Sequence, residues 1–168
     1  ADSAHSVHAA DVDKDGDMDV LSVSHYDDTI AWYENDGSEN FTTHIITTSA
    51  DHATSVYAAD MDGDGDMDVL SASEKDDTIA WYENDGSESF TVHAITTTAD
   101  GAQSVYAADL DGDGDMDVLS ASIDDDTIAW YENDGSENFT THPITTAGDQ
   151  RVVYAADVDG DGDMDVLS

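Results

Sequence analysis

The sequence has no cysteine, only three lysines and arginines together, only three phenylalanines, and no apolar run long enough to span a bilayer. Without cysteine there is no disulfide framework, so a fold of this composition outside the cell needs some other clip. Without basic residues there is no electrostatic surface for nucleic acid: 41 acidic side chains give a formal charge of −38. A charge of that size repels itself at low ionic strength and suits saline surroundings, where screening is strong. No membrane span is predicted, and no signal-peptide pattern opens the chain, as expected if the N terminus of the protein lies elsewhere. No ten-residue stretch spaces its apolar residues helically, which predicts essentially no helix.

What the chain has in excess is aspartate, and it is patterned. Four times an aspartate stands at every second position around a glycine: Asp11, Asp13, Asp15, Asp17 and Asp19; Asp60, Asp62, Asp64, Asp66 and Asp68; Asp109, Asp111, Asp113, Asp115 and Asp117; Asp157, Asp159, Asp161, Asp163 and Asp165. Alternate carboxylates over nine residues gather around one point, and the common physical use of such crowding is a hard cation with oxygen ligands. Positions 1, 3, 5 and 9 offer carboxylates, position 7 a carbonyl, and Gly16 at position 6 permits a sharp turn. An EF-hand would need a bidentate Glu at position 12, where this chain has Ser22, Ser71, Ser120 and Ser168. A disordered acidic tail would lack the Trp-Tyr, Ile and Val segments that recur here at fixed phase. Without metal the carboxylates would repel one another and destabilise the loop. About one Ca2+ per loop is expected, in preference to Mg2+, which tolerates few all-protein cages. Four such ions would still leave a charge of −30. Repeated metal clips then do the work that disulfides do elsewhere.

The loops sit in a repeat. Trp32, Trp81 and Trp130 are 49 residues apart, as are Asp11, Asp60 and Asp109, while the step to Asp157 is 48. Residues 50–98 and 99–147 differ at 9 of 49 positions, so the units are structurally equivalent. A strand-built period of about 40 to 50 residues is the signature of a propeller blade or a related array. Four strands are predicted per unit: Ser55–Ala59, Met67–Ser73, Thr78–Glu83 and Phe90–Thr97 in the second. The metal loop joins the first two strands; Lys75-Asp76-Asp77 and Asn84-Asp85-Gly86-Ser87 make the other turns. The expected fold is all-β, tandem four-stranded antiparallel blades of a β-propeller, with an open linear array of the same blades as the alternative. Residues 1–49, 50–98 and 99–146 form three blades, and 147–168 the first two strands of a fourth.

The aspartate loop, the strand after it, and the "DDTIAWYENDG" segment before "FTxHxIT" resemble the FG-GAP-like repeats, also called VCBS repeats, related to the calcium-binding blades of integrin α-subunit propellers. The resemblance covers the whole chain. It implies a β-propeller, usually of seven blades, with calcium in the loop between the first and second strands of a blade. The Phe-Gly…Gly-Ala-Pro element that names the family is absent and Val-Tyr-Ala-Ala stands in its place, so the integrin ligand site is not carried over.

Ala1 begins in an inter-blade linker, and Ser168 falls where Ser71 and Ser120 sit in mid-strand. The expectation is a window of a longer tandem array, or a chain whose last blade is completed by another copy. Three blades and a hairpin are too few to close a ring alone.

Catalysis has little support in the sequence. His44, His93 and His142 recur at one place in the fourth strand, which predicts a structural role, and His5, His8, His25 and His52 are unrepeated, with no Ser, Cys or Glu partner at telling spacing. No nucleophile elbow, phosphate loop or His-metal motif is present. Each Trp-Tyr pair sends its rings to opposite sheet faces, either both into the core between neighbouring sheets or one outward as a platform for sugar or peptide. The core is the expectation. Asn40-Phe41-Thr42 and Asn138-Phe139-Thr140 are N-glycosylation acceptors by pattern, whereas the middle repeat has Ser89. The function expected is a non-enzymatic, secreted or cell-surface calcium-binding scaffold with a structural or adhesive role, part of a longer array or fibre-like assembly. Its expected partners are other copies or further repeats, with glycan or a surface protein as further candidates. The alternatives are a carbohydrate-binding, lectin-like propeller and an accessory domain of a secreted polysaccharide-active enzyme.

Overall fold

Alternation of small or β-branched residues with polar ones, broken every six or seven residues by Asp, Gly or Ser, produces a meander of short antiparallel strands. A computed structural model describes residues 2–146, 148 and 151–168. The strands are β1 (Ala4–Ala10), β2 (Asp19–Ser24), β3 (Thr29–Asn35), β4 (Phe41–Thr47), β5 (Ala53–Ala59), β6 (Asp68–Ser73), β7 (Thr78–Asn84) and β8 (Phe90–Thr96). They continue as β9 (Ala102–Ala108), β10 (Asp117–Ser122), β11 (Thr127–Asn133), β12 (Phe139–Thr145), β13 (Tyr154–Ala156) and β14 (Asp165–Leu167). Pairing is strictly sequential, giving sheets β1-β2-β3-β4, β5-β6-β7-β8 and β9-β10-β11-β12, and the hairpin β13-β14. Among the described residues there is no helix.

Register repeats from blade to blade: Leu21 faces Trp32, Leu70 faces Trp81 and Leu119 faces Trp130. Each of the three complete blades also carries a bulge in its first strand and another between its third and fourth strands, at Ile30/Ala31, Ile79/Ala80 and Ile128/Ala129. The central strands of the second blade are buried on both faces because it lies between the first and the third, and the period of two then decides which residue meets which neighbour. In the second blade Val69, Ala80 and Tyr82 pack with Leu21, Val23 and Trp32 of the first. Leu70, Ile79 and Trp81, one residue out of phase, pack with Val118, Ala129 and Tyr131 of the third. The Trp face of one blade therefore closes on the Tyr face of the next.

This settles the Trp-Tyr question in favour of the core. Trp32, Trp81, Tyr82 and Tyr131 are buried, while Tyr33, on a face no described blade covers, is half-buried. A ring of this size removes roughly 150–250 Å² from water, worth about 4–6 kcal/mol. The fourth strands run along the rim, with Phe41, Ile45 and Val92 exposed.

The first strands lie side by side and are stitched by side chains. Thr54 Oγ1 donates to the Ala102 carbonyl (2.9 Å), Val105 N to Ser55 Oγ (3.3 Å) and Val153 N to Ser104 Oγ (3.2 Å). One residue per blade forms an aromatic file on these strands: His8, Tyr57, Tyr106 and Tyr154, with ring centroids 4.5, 4.7 and 4.6 Å apart. Burial and its two tyrosine neighbours push the Tyr106 phenol well above its ordinary range. Burial also lowers the His8 imidazole pKa, favouring its neutral form.

Candidate metal centres in the aspartate loops

Each nine-residue loop leaves the first strand of a blade and enters the second, and its carboxylates first organise its own backbone. Asp62 Oδ1 accepts from Asp64 N (3.0 Å), and Asp64 Oδ1 from Asp66 N (2.7 Å), two successive Asx turns that wind the loop. Asp60 at position 1 accepts from Gly63 N with one oxygen (2.8 Å) and Gly65 N with the other (3.0 Å). Loops three and four repeat all these bonds.

Position 9 ties the loop to the sheet. Asp68 is fully buried and takes Met61 N on Oδ2 and Asn84 N on Oδ1, both at 2.8 Å; Asp19 and Asp117 do the same in their blades. The side chains Asn84 and Asn133 extend this anchor across the seams, donating to the carbonyls of Val12 (3.4 Å) and Met61 (3.3 Å) in the preceding blade.

Position 7 is different. The Asp66 side chain turns away toward the Asn84–Gly86 turn, where a Cβ on Gly86 (φ +70°) would come within 2.6 Å of Asp66 Oδ2. Lys14 of the first loop reaches across the seam to Asp66, Nζ to Oδ1 at 2.5 Å.

The carboxylates that remain converge. One oxygen each from Asp60, Asp62 and Asp68 lie within 4.8 Å of one another, as do those of Asp109, Asp111 and Asp117, and of Asp157, Asp159 and Asp165. In the first loop the converging set is Asp11, Asp13 and Asp15. These groups could hold a metal ion. Asp17, Asp66, Asp115 and Asp163 contribute no side chain to any converging set, and Asp64, Asp113 and Asp161 serve the loop backbone.

The charge pattern fits a cation. Burial pushes the Asp68 carboxyl up to about 6, with Asp62 adding to the rise, while the backbone N–H groups of Asn84 and Met61 pull the other way. Burial raises Asp13, Asp62 and Asp117 as well, with neighbouring carboxylates reinforcing each. In the first loop Lys14, at φ +62°, stands where the other loops have Gly63, Gly112 and Gly160. There Asp11 Oδ1 is buried and has no hydrogen-bond partner among the described residues. An orphaned carboxylate oxygen in an all-oxygen donor set is what a hard cation would satisfy.

The recurring histidines belong to the rim. His44, His93 and His142 lie over Trp32, Trp81 and Trp130 with centroids 4.4, 4.6 and 4.8 Å apart. Each meets a glutamate of the adjacent strand, Glu34, Glu83 or Glu132, at 2.7–2.8 Å. Of the unrepeated histidines, His25 has a glutamate partner that spacing within one repeat does not reveal. His25 lies against Glu74, one repeat further on, Nε2 to Oε2 at 3.4 Å, and His5 and His52 surround it with centroids 5.3 and 4.5 Å away. The signal was the 49-residue step itself, because equivalent positions of adjacent blades touch. Asn40 and Asn138 are exposed at the β3–β4 and β11–β12 turns, each donating its amide to Asp36 or Asp134.

Compared with known proteins, the FG-GAP-like repeat profile matches residues 11–71, 60–120 and 109–168. The chain belongs to the FG-GAP-like repeat family. Among solved structures it is similar to a lectin of Agrocybe aegerita described for specific recognition of non-reducing terminal N-acetylglucosamine, with a TM-score of 0.68 at 18% identity. That likeness spans 98% of this chain and 46% of the lectin chain, and it concerns the fold. No curated protein matches the sequence significantly. Among the described residues no helix is long and apolar enough to cross a membrane.

Proposed function

We propose that this chain is a non-enzymatic, extracellular calcium-binding repeat scaffold with a structural or adhesive role, working alongside further blades of its own kind. The observation that carries the reading is the convergence of carboxylate oxygens in every loop, with Asp11 Oδ1 left buried and unpaired. Asp11, Asp13 and Asp15 would hold calcium in the first loop, and positions 1, 3 and 9 in the others. Bound calcium would neutralise carboxylates that otherwise repel one another. Because position 9 is also the anchor to the third strand, occupancy of the loop stabilises the whole blade. Weak oxygen sites fill only where calcium is millimolar, and a charge of −38 needs salt; both favour the extracellular medium.

The test is thermal unfolding with and without chelator. Saturation at a hundred times Kd adds about 2.7 kcal/mol per site. Calcium should therefore raise the melting temperature by many degrees, and equal melts in calcium and chelator would overturn the reading.

A second reading, carbohydrate binding, has one observation in its favour besides the lectin likeness. A cleft of about 210 Å³ between the second and third blades is lined by Thr98, Asp125, Thr127, Tyr131, Thr141 and Thr146, hydroxyl-rich with one aromatic ring. Titration of the calcium-loaded protein with N-acetylglucosamine-terminated glycans decides it, since a scaffold gives no saturable binding.

A further inference from the structure

The two seams between complete blades share one linker geometry, and at one of them the sequence departs from the repeat. Between the second and third blades, Asp77 of the β6–β7 turn takes Gly101 N on Oδ1 (3.1 Å), and its carbonyl takes Ala99 N (2.9 Å). Asp100 and Gly101 then pass their carbonyls to Asp124 N and Ile123 N, both at 3.1 Å. Between the first and second blades Asp28 and Asp51 play the same parts: Asp28 Oδ1 takes His52 N (3.0 Å), and the Asp51 carbonyl takes Lys75 N (3.2 Å). The scaffold and both carboxylates are conserved between the two seams of this one chain. The residue in the left-handed position is not: Gly101 has φ +69°, and His52 sits there at φ +56°. A β-carbon in that region is strained, so the imidazole is placed against backbone preference.

Its placement is specific. His52 Nδ1 lies 2.8 Å from Asp51 Oδ1 and 3.9 Å from Asp28 Oδ1, so one nitrogen and two carboxylate oxygens share a point. His25 packs edge-on against the ring (4.5 Å, 79°), and Tyr26 stands perpendicular to it at 6.1 Å, which limits its rotation. The side chains are partly open to solvent, at 31% for His52, 39% for Asp28 and 52% for Asp51, so a cation can enter and keep water ligands. This donor set differs in kind from the aspartate loops. A hard alkaline-earth ion wants oxygen only, whereas mixed imidazole and carboxylate donors favour a borderline dication of the first transition row.

We propose that Asp28, Asp51 and His52 form a second, chemically distinct metal site at the first seam, selective for a zinc-class dication and independent of calcium in the loops. The site would join the β2–β3 turn of one blade to the linker entering the next, so its metal acts as a clasp on that seam alone. The second seam, with Asp77, Asp100 and Gly101, is the built-in control: it keeps the carboxylates and lacks the nitrogen.

The experiment titrates Zn2+ into protein held in excess calcium, and repeats the titration with substoichiometric Cu2+ read by electron paramagnetic resonance for coupling to imidazole nitrogen. One zinc equivalent should bind tightly, with nitrogen coupling from copper. His52→Gly, which installs the residue the second seam already carries, should weaken that equivalent by about tenfold or more and abolish the coupling. Asp51→Asn should weaken it comparably. Both variants should keep the calcium-dependent melt, which shows that the fold survives. Unchanged zinc affinity and nitrogen coupling in His52→Gly, or a wild-type protein whose zinc binding shows no preferred equivalent, would overturn the proposal and leave His52 an ion-pair partner of Asp51 only.

Discussion

Asp68 and Asp64 carry the same charge four residues apart, yet replacing each by alanine should have different consequences in the absence of metal. Asp68 is fully buried and accepts two backbone N–H groups, Met61 and Asn84, each at 2.8 Å. Asp68→Ala leaves both donors buried and unpaired, at about 1–3 kcal/mol each, or roughly 2–6 kcal/mol together. An opposing contribution comes from the charge. The carboxyl is held up to about 6, so at neutral pH the folded protein carries an ionised group it disfavours, and removal returns up to about 3 kcal/mol. At the middle of that range the orphaned donors win, and the net loss is roughly 1 kcal/mol, reaching about 3 kcal/mol at its upper end. Asp64 is exposed and accepts a single N–H, from Asp66, in an exposed loop; its loss also relieves repulsion, so Asp64→Ala should stay within about 0.5 kcal/mol of wild type. Urea unfolding in chelator at neutral pH, followed by tryptophan fluorescence, reads the difference. With a slope of about 1–3 kcal/mol/M, the Asp68→Ala midpoint should fall by several tenths of a molar or more. A midpoint at or above that of Asp64→Ala would refute the assignment of Asp68 as the anchor between loop and sheet.

The same carboxyl predicts a pH dependence in chelator. A raised folded pKa stabilises the protonated state, so this group's contribution is fully present below about 4 and is lost as pH rises to about 6; Asp13, Asp62 and Asp117 act in the same direction. The metal-free protein should therefore be more stable at pH 4.5 than at pH 7, by about 2 kcal/mol from Asp68 alone, and a chelator melt that rises with pH over that range would contradict it. Asn84 tests the seams. Its amide donates to Val12 and Met67 carbonyls and its oxygen accepts from Gly86 N, whereas Asn35 on the first blade donates to Met18 within its own blade. Asn84→Ala should cost about 1 kcal/mol more than Asn35→Ala by denaturant unfolding, and equal costs would show that the inter-blade bond contributes nothing.

Much of this molecule is local and therefore legible. Strand limits, turns and blade period follow from residues near one another in sequence: the expected strands Ser55–Ala59, Met67–Ser73, Thr78–Glu83 and Phe90–Thr97 differ from the observed ones by at most two residues at either end. An aspartate ladder around a glycine cannot pack as a strand interior, so its place in a loop was also legible.

The division of labour among the five aspartates was not. The pattern predicts carboxylates of positions 1, 3, 5 and 9 around one focus, with position 7 giving its carbonyl, whereas in the second to fourth loops position 5 winds the loop backbone, and position 9 is consumed in part by backbone donors from two other segments. Those partners lie up to 16 residues away and come close only when the sheet forms. The seams are more remote still. His25 meets Glu74, Lys14 meets Asp66, and Asn84 reaches Val12 because stacked blades bring one repeat against the next. From the sequence alone came the repeat, the all-β meander and the crowding of carboxylates, because each depends on the order of neighbouring residues. Which carboxylates converge, which rings close each seam, and that unrepeated histidines gather at the first seam were decided by tertiary packing, because contact between blades depends on the twist and stacking of whole sheets.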